Sequence, residues 1–275
     1  MTADDAPRWR EVAPAKVNLA LHVRGKLPDG RHSIETVFAF CVDGDRLSAE
    51  PAGELELTIA GPFAAELFDS EAENLVIRAA IELAGEAGVE CAARLRLEKN
   101  LSVAAGLGGG SADAAAALRL LTAMWGIDPA HASAVAPRLG SDVPACLLSL
   151  TSRGDGAGDR LQLVDGPSIA GTPLLLVNPG VGLSTREVFE HWDGVDRGPL
   201  GDWREGRNDL EPAATALVPE ITEVLGWLRE QPGAEFVRMS GSGATCFALF
   251  ADEGDRDRAE AAVPGRWWRL ATRLR

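Results

Sequence analysis

One run of glycines constrains this chain more than any other feature. Residues 97–125 read LEKNLSVAAGLGGGSADAAAALRLLTAMW. Leu95 and Leu97 close a period-two pattern that predicts a strand over 94–98. Gly106, Gly108, Gly109 and Gly110 then fall within five positions. From Ser111 to Trp125, Ala114, Leu118, Leu121 and Trp125 recur at spacings of three and four, which predicts a helix. Ser111 is placed to cap that helix or to meet a phosphate, with Asp113 in its first turn. Glycines let a backbone approach a ligand closely. The start of the following helix offers unpaired N–H groups and the positive end of its dipole. Such an object holds phosphate groups. The competing reading is a tight turn with no ligand. Against it stands the entropy lost in ordering consecutive glycines that pack nothing.

Two common phosphate loops are excluded. A Walker loop needs Lys followed by Ser or Thr after its last glycine, and here Gly110 is followed by Ser111 and Ala112. The dinucleotide pattern G-x-G-x-x-G would need glycine at Ser111.

A chain of 275 residues allows one large domain or two smaller ones. Its formal net charge of −14 argues against a nucleic-acid partner. A small anion can still be held by local backbone dipoles. No apolar run approaches the ~18 residues of a membrane-spanning helix, and the acidic opening MTADDAPRWREVAP does not resemble a signal peptide. A cytoplasmic protein without a membrane partner is expected. Cys41, Cys91, Cys146 and Cys246 are scattered through apolar contexts without metal spacing, and read as buried thiols. The four histidines form no H-x-x-x-H pair, so no protein metal ligands are assigned.

Taken in order, residues 12–24 alternate as a strand. Val17, Leu19, Leu21 and Val23 face one way; Lys16, Asn18, Ala20 and His22 face the other, taken alone a solvated face. LPDGR (27–31) is a turn, His32 stands at its end, and 33–42 is a strand. Asp43-Gly44 reads as the next turn, followed by two short strands, the second carrying Leu55, Leu57 and Ile59. Asn74 caps a helix that ends at Gly88. Gly126 stops the central helix, and Asp128-Pro129 opens another. Ser141 reads as a further cap, with Asp142 in the first turn as a helix-dipole partner. RGDGAGD (153–159) is polar and flexible, and a domain boundary there divides the chain into 1–155 and 156–275. Beyond it come a strand at 174–177 and a helix capped by Ser184 or Thr185 with Val188, Phe189 and Trp192. An excursion over 194–207 precedes a helix over 217–230. Strands at 236–239 and 245–250 flank Ser240-Gly241-Ser242-Gly243-Ala244, and a helix (255–262) and strand (267–274) close the chain. Strand-helix-strand-strand-helix-strand is a ferredoxin-like order.

Three stretches in this order resemble the motifs of the GHMP kinase family, which phosphorylates small alcohols and sugars with ATP. They are Ala13-Pro14-Ala15-Lys16-Val17-Asn18-Leu19, Ala105-Gly106-Leu107-Gly108-Gly109-Gly110-Ser111-Ala112-Asp113, and Met239-Ser240-Gly241-Ser242-Gly243-Ala244. The resemblance spans nearly the whole chain. It implies an α+β, two-domain GHMP kinase fold: an N-terminal ribosomal-S5-domain-2-like nucleotide domain (1–155) and a C-terminal ferredoxin-like domain (156–275). It implies Asp142 as catalytic acid with Lys16 beside it. Ala105, Gly106, Leu107, Gly108, Gly109, Gly110 and Ser111 would hold the ATP phosphates, with Mg²⁺ neutralising them; Asn74, Leu75 and Lys99 match positions around the adenine nucleotide.

Within the family, Asp29-Gly30-Arg31-His32, Gly140-Ser141-Asp142-Val143-Pro144 and Asn178-Pro179-Gly180-Val181 before Ser184-Thr185 are similar to members whose acceptor is a cytidine-diphosphate sugar alcohol. That resemblance implies Asn18 against the sugar-alcohol portion, His32 and Phe189 at cytosine, and Thr185 in the substrate set. Arg31 stands where the family has Tyr, so a guanidinium would take one face of the base. Ser102 and Ala112 replace the usual Pro and second Ser of the glycine motif. A monomer or weak homodimer is expected. Two alternatives stay open: a GHMP kinase for a mevalonate- or homoserine-like alcohol, and a non-catalytic nucleotide sensor.

Overall fold

The computed structural model describes residues 9–67, 74–103, 105–164 and 169–275. Two compact units interleave along the chain. The first comprises Met1–Ala15, Asp43–Val103 and Gly108–Leu148; the second comprises Lys16–Val42, Ala104–Leu107 and Ser149–Arg275.

Two long strands, β1 (Trp9–Lys26) and β2 (His32–Glu50), pair with each other and run through both units. The expected turn at Asp43-Gly44 is absent, because β2 passes straight through it. Gly44 serves close approach instead: a Cβ there would lie 1.9 Å from the carbonyl oxygen of Ala13. β1 also departs from the expected half-solvated strand. Burial is unbroken from Ala13 to Val23, so Lys16, Asn18 and His22 are buried polar groups.

In the first unit, the end of β2 pairs antiparallel with β4 (Ala93–Glu98), from Arg46 opposite Glu98 to Glu50 opposite Arg94. β3 (Leu55–Ala60) pairs parallel with β4. The helices are α1 (Leu75–Ala87), α2 (Gly109–Trp125), α3 (Pro129–Leu139) and α4 (Val143–Leu148). Asn74 caps α1 as expected, its Oδ1 accepting from Val76 N–H at 2.9 Å. Asp128 caps α3 through Ala130 N–H. Three expectations need correction. α2 starts at Gly109, capped by the left-handed Gly108 (φ 62°), so Ser111 lies inside the helix and Asp113 beyond its first turn. α2 is buried on all sides from Ala112 to Leu118 rather than along one stripe, as its alanine content permits. α4 begins at Val143, with the Asp142 carbonyl accepting from Cys146 N–H at 3.0 Å, so Asp142 rather than Ser141 adjoins the helix.

In the second unit, the expected flexible stretch 153–159 is instead a hairpin. β5 (Ser152–Gly156) pairs with Ile34–Phe38 of β2 on one side and with β6 (Arg160–Leu163) on the other. Its glycines again mark close approach, since a Cβ on Gly154 would sit 2.7 Å from the Phe38 ring. Then follow β7 (Pro173–Asn178), α5 (Thr185–Glu190), α6 (Glu211–Leu217), α7 (Glu220–Arg229), β8 (Ala234–Met239), β9 (Cys246–Phe250), α8 (Glu253–Ala262) and β10 (Trp268–Arg273). The antiparallel sheet order β10-β7-β9-β8 is the ferredoxin-like arrangement that the element order implies. The expected helix over 217–230 is α7, which starts later, after Val218-Pro219, and a further helix that was not expected, α6, precedes it. α6 is only seven residues long, too short for periodicity to reveal. Ile221, Val224, Leu225 and Leu228 of α7 pack with Val177, Val188 and Phe250 in one core.

Cys41, Cys146 and Cys246 are buried and Cys91 is half-buried, and none of them forms a disulfide. No helix among the described residues is long and apolar enough to cross a membrane.

Candidate active site

In the first unit, the glycine-rich helix start rests on a buried ionic triad. Lys99 follows the last residue of β4, and its Nζ lies 2.5 Å from Asp45 Oδ2 and 2.8 Å from Asp113 Oδ2. None of the three side chains is more than 4% exposed. Asp45 Oδ1 also accepts the N–H groups of Asn100 (2.5 Å) and Leu101 (2.8 Å), which ties β2 to the segment entering the loop. Gly109 packs directly over the ammonium, since a Cβ there would be 3.0 Å from Lys99 Nζ. Two carboxylates surround one cation, and one buried oxygen, Asp113 Oδ1, has no partner. Burial pushes the Asp113 carboxyl up to about 7, against the pull of Lys99 and with the help of Asp45. The carboxylates outweigh the burial of Lys99 and hold its ammonium charged. Lys99, expected beside the nucleotide, thus has its charged end committed inside the unit.

The loop itself supplies backbone dipoles. Ala112 N–H bonds the Gly108 carbonyl at 2.8 Å, leaving the amides of Gly109, Gly110 and Ser111 as the open first turn of α2. Leu75 covers Gly110, whose Cβ would lie 3.5 Å from the Leu75 side chain. Asp142 is half-buried at the start of α4.

The earlier part of the loop belongs to the second unit, as do Lys16 and Asn18. Gly106 has φ +74°, and a Cβ there would lie 2.5 Å from the Ser240 carbonyl oxygen and 2.7 Å from that of Gly243. Ser240 Oγ accepts from Asn18 N–H (3.1 Å) and donates to the Gly106 carbonyl (2.9 Å). Ala105 accepts from Thr245 N–H, and Leu107 from Lys16 N–H at 3.0 Å. Lys16 Nζ donates to Asn18 Oδ1 (2.8 Å), and Asn18 Nδ2 donates to Thr36 Oγ1 (2.8 Å), which donates to the Ala20 carbonyl (2.7 Å). Lys16 is 4% exposed and its ammonium stands 5.5 Å from the Phe38 ring centroid. Lys16 and Asn18 of the first motif, the early residues of the glycine loop and the late Ser240–Ala244 loop are thus joined inside one unit, with a buried cation in their midst.

Further residues of the expected substrate set also lie in the second unit. His32 stacks on Phe189 with ring centroids 4.6 Å apart and a 23° interplanar angle. Burial lowers the His32 pKa, with Lys26 adding to the effect, so the ring is held neutral. Arg31 is exposed and engages Asp29 through both its backbone N–H (3.0 Å) and guanidinium (2.8 Å). Thr185 Oγ1 lies 2.8 Å from Ser242 Oγ, which brings α5 to the second glycine loop.

Comparison with known proteins decides the family. The description "GHMP kinases N terminal domain" matches residues 74–149, and "GHMP kinases C terminal" matches 195–269. A 4-diphosphocytidyl-2-C-methyl-D-erythritol kinase of Rhizorhabdus wittichii is 53% identical over 294 aligned positions, covering 100% of both chains. The protein of the same name from Novosphingobium aromaticivorans is 50% identical, over 97% of this chain and 93% of its own. The chain belongs to the GHMP kinase family. A crystal structure of a 4-(cytidine 5'-diphospho)-2C-methyl-D-erythritol kinase superposes with a TM-score of 0.82 at 35% identity, covering 96% of this chain and 98% of that one. The mevalonate kinase of Methanococcus jannaschii, at TM-score 0.68 and 9% identity, shares the fold alone.

Membership of the GHMP kinase family makes ATP the phosphoryl donor. The sequence reading of this kinase missed several buried polar residues that organise its loops. Thr36 anchors Asn18. Asn208 donates to the carbonyls of Met239 (2.9 Å) and Gly241 (2.7 Å) and accepts from Leu210 N–H, fixing the second glycine loop. Asp45, just past the expected turn, holds Lys99 and the N–H groups of Asn100 and Leu101. Its signal was faint: one acidic residue placed two positions before the apolar Leu47 of the same strand.

Proposed function

We propose that this GHMP kinase transfers the γ-phosphoryl group of ATP to the 2-hydroxyl of 4-diphosphocytidyl-2-C-methyl-D-erythritol, a step in making isoprenoid precursors without mevalonate. The observation that carries this reading is the full-length identity to kinases of that name, 53% in one case with nothing left over in either chain. The three motifs lie within it in the family's order, the glycine motif with Ser102 and Ala112 in place of the usual Pro and second Ser.

Phosphoryl transfer depends on alignment and charge stabilisation more than on covalent help. Asp142 accepts the proton of the attacking hydroxyl as a positioned carboxylate. The freed oxygen bonds the γ-phosphorus, the bond from that phosphorus to the bridging oxygen breaks, and ADP departs with the electron pair. Lys16, held by Asn18, stabilises charge on the attacking oxygen or the moving phosphoryl group. The amides of Gly108, Gly109, Gly110 and Ser111, with Ala105, Gly106 and Leu107 before them, take the phosphates. Asn74 and Leu75 take the nucleotide, and Lys99 serves it at one remove, its ammonium bound to Asp45 and Asp113 under the glycine loop. Asn18 and Thr185 take the sugar alcohol; Arg31, His32 and Phe189 take the cytosine. Among the described residues no three His, Cys, Asp or Glu side chains gather as a metal cage. Mg²⁺, carried chiefly on the nucleotide phosphates, would neutralise their charge. The division at 155/156 belongs to the same proposal; the two family matches fall on either side of it. Cytoplasmic placement and a monomer or weak homodimer complete it.

The test is a coupled ADP assay with the cytidine-diphosphate alcohol, mevalonate and homoserine as competing acceptors. Turnover restricted to the cytidine compound is expected. Turnover of mevalonate or homoserine with none of the cytidine compound would reassign the acceptor, and ATP binding without transfer to any alcohol would make the chain a sensor.

A further inference from the structure

Beside the stacked His32–Phe189 pair stands a third ring. Trp192, just past the end of α5, meets His32 edge-on, with centroids 5.8 Å apart and an 88° interplanar angle. Its backbone N–H bonds the Phe189 carbonyl at 3.3 Å, so the two residues of α5 and its exit move as one piece. Its ring also packs against the apolar core of the second unit.

Two polar atoms of this cluster are buried without a partner: Trp192 Nε1 and His32 Nε2. A buried indole N–H ordinarily finds an acceptor, and each such group left unpaired is destabilising. Packing alone has no use for two of them in one place, since Phe or Leu would fill the same volume without that cost. They suit a ligand whose edge offers an acceptor to the indole and a complementary group to the imidazole. A pyrimidine base has that edge and a face that stacks on Phe189. The charged alternative at this end, Arg31, is turned outward onto Asp29 and Asp159.

We propose that Trp192 is a further base-recognition residue of this kinase, its Nε1–H donating to the carbonyl edge of the pyrimidine that stacks on Phe189. This deepens the cytidine reading of the acceptor and rests on it. His32 yields its place on Phe189 when the base enters, and both orphaned ring nitrogens then gain partners.

The full chain is titrated calorimetrically with cytidine 5'-diphosphate while a non-hydrolysable ATP analogue saturates the nucleotide site. Trp192→Phe keeps an aromatic ring and removes only the donor. It should bind cytidine 5'-diphosphate about 10-fold more weakly, as expected for one lost hydrogen bond to a buried donor. It should raise KM for the acceptor by a similar factor, and leave KM for ATP and kcat within about twofold. Quenching of tryptophan emission by cytidine 5'-diphosphate should shrink in the same variant. Wild-type affinity in Trp192→Phe would overturn the role of the indole N–H. Failure of the wild-type chain itself to bind cytidine 5'-diphosphate would instead overturn the acceptor reading, and this inference with it.

Discussion

Lys99 Nζ and Asp45 Oδ2 lie 2.5 Å apart in a place that water does not reach, beneath the glycines that open α2. The pair joins β2, the end of β4 and, through Asp113, the helix itself. Removing one partner of a buried ion pair leaves an uncompensated charge and costs about 3–5 kcal/mol. Lys99→Met should therefore lower unfolding stability by that order in urea titration, with two carboxylates stranded. An unchanged denaturation midpoint would show that the triad carries no such weight.

Asp113 gives the triad a pH signature. Its carboxyl is raised from 3.8 to about 7 in the folded chain, chiefly by burial. Between those two values the folded state binds more protons at this site than the unfolded state does. Its contribution to stability is therefore complete at low pH and is lost as pH rises through the folded value. Asp113→Asn, which cannot ionise, should flatten the stability profile between about pH 4 and 7 relative to wild type. Parallel profiles in thermal melts across that range would contradict it.

Asp142 and Lys16 carry the proposed chemistry. Asp142→Ala and Lys16→Met should each lower kcat by at least about 100-fold, the usual worth of a positioned acid–base group. Circular dichroism of Asp142→Ala should stay native, because that side chain is only half-buried at a helix start. Full activity in Asp142→Ala would remove it from the mechanism.

Gly44 tests the packing of β1 against β2. A methyl group there would sit 1.9 Å from a backbone oxygen of Ala13, which no side-chain rearrangement relieves. Gly44→Ala should cost about 3 kcal/mol or more, at or beyond the upper end of ordinary overpacking. Gly53→Ala, whose Cβ would meet nothing within 4 Å, serves as the control. Equal melting temperatures for the two variants would refute the contact.

Much of this molecule was decided locally and could be read from the sequence. The caps at Asn74 and Asp128, the stops at Gly88 and Gly126 and the apolar face of α7 depend on neighbours a few residues away, and the structure places them as expected. The order of strands and helices after residue 173 likewise implied the ferredoxin-like sheet. The resemblance to the family rests on three short motifs, each contiguous in the chain. Distant contacts decided the rest. Gly44 reads as a turn residue and Gly154 as part of a flexible boundary stretch, yet each exists to admit another strand or ring, and that neighbour is far off in sequence. Lys16 and Asn18 alternated like a solvated face, yet β1 is covered on both sides and they bond to each other and to Thr36. Lys99 was marked only by the family resemblance, as a position around the nucleotide; its two carboxylates come from β2 and α2, 54 residues before it and 14 after it. Local geometry follows from short-range propensity, and so the sequence alone carried it. Burial of a charge is settled only when the chain closes over it, and so the tertiary structure alone showed which polar groups serve the site by holding its backbone.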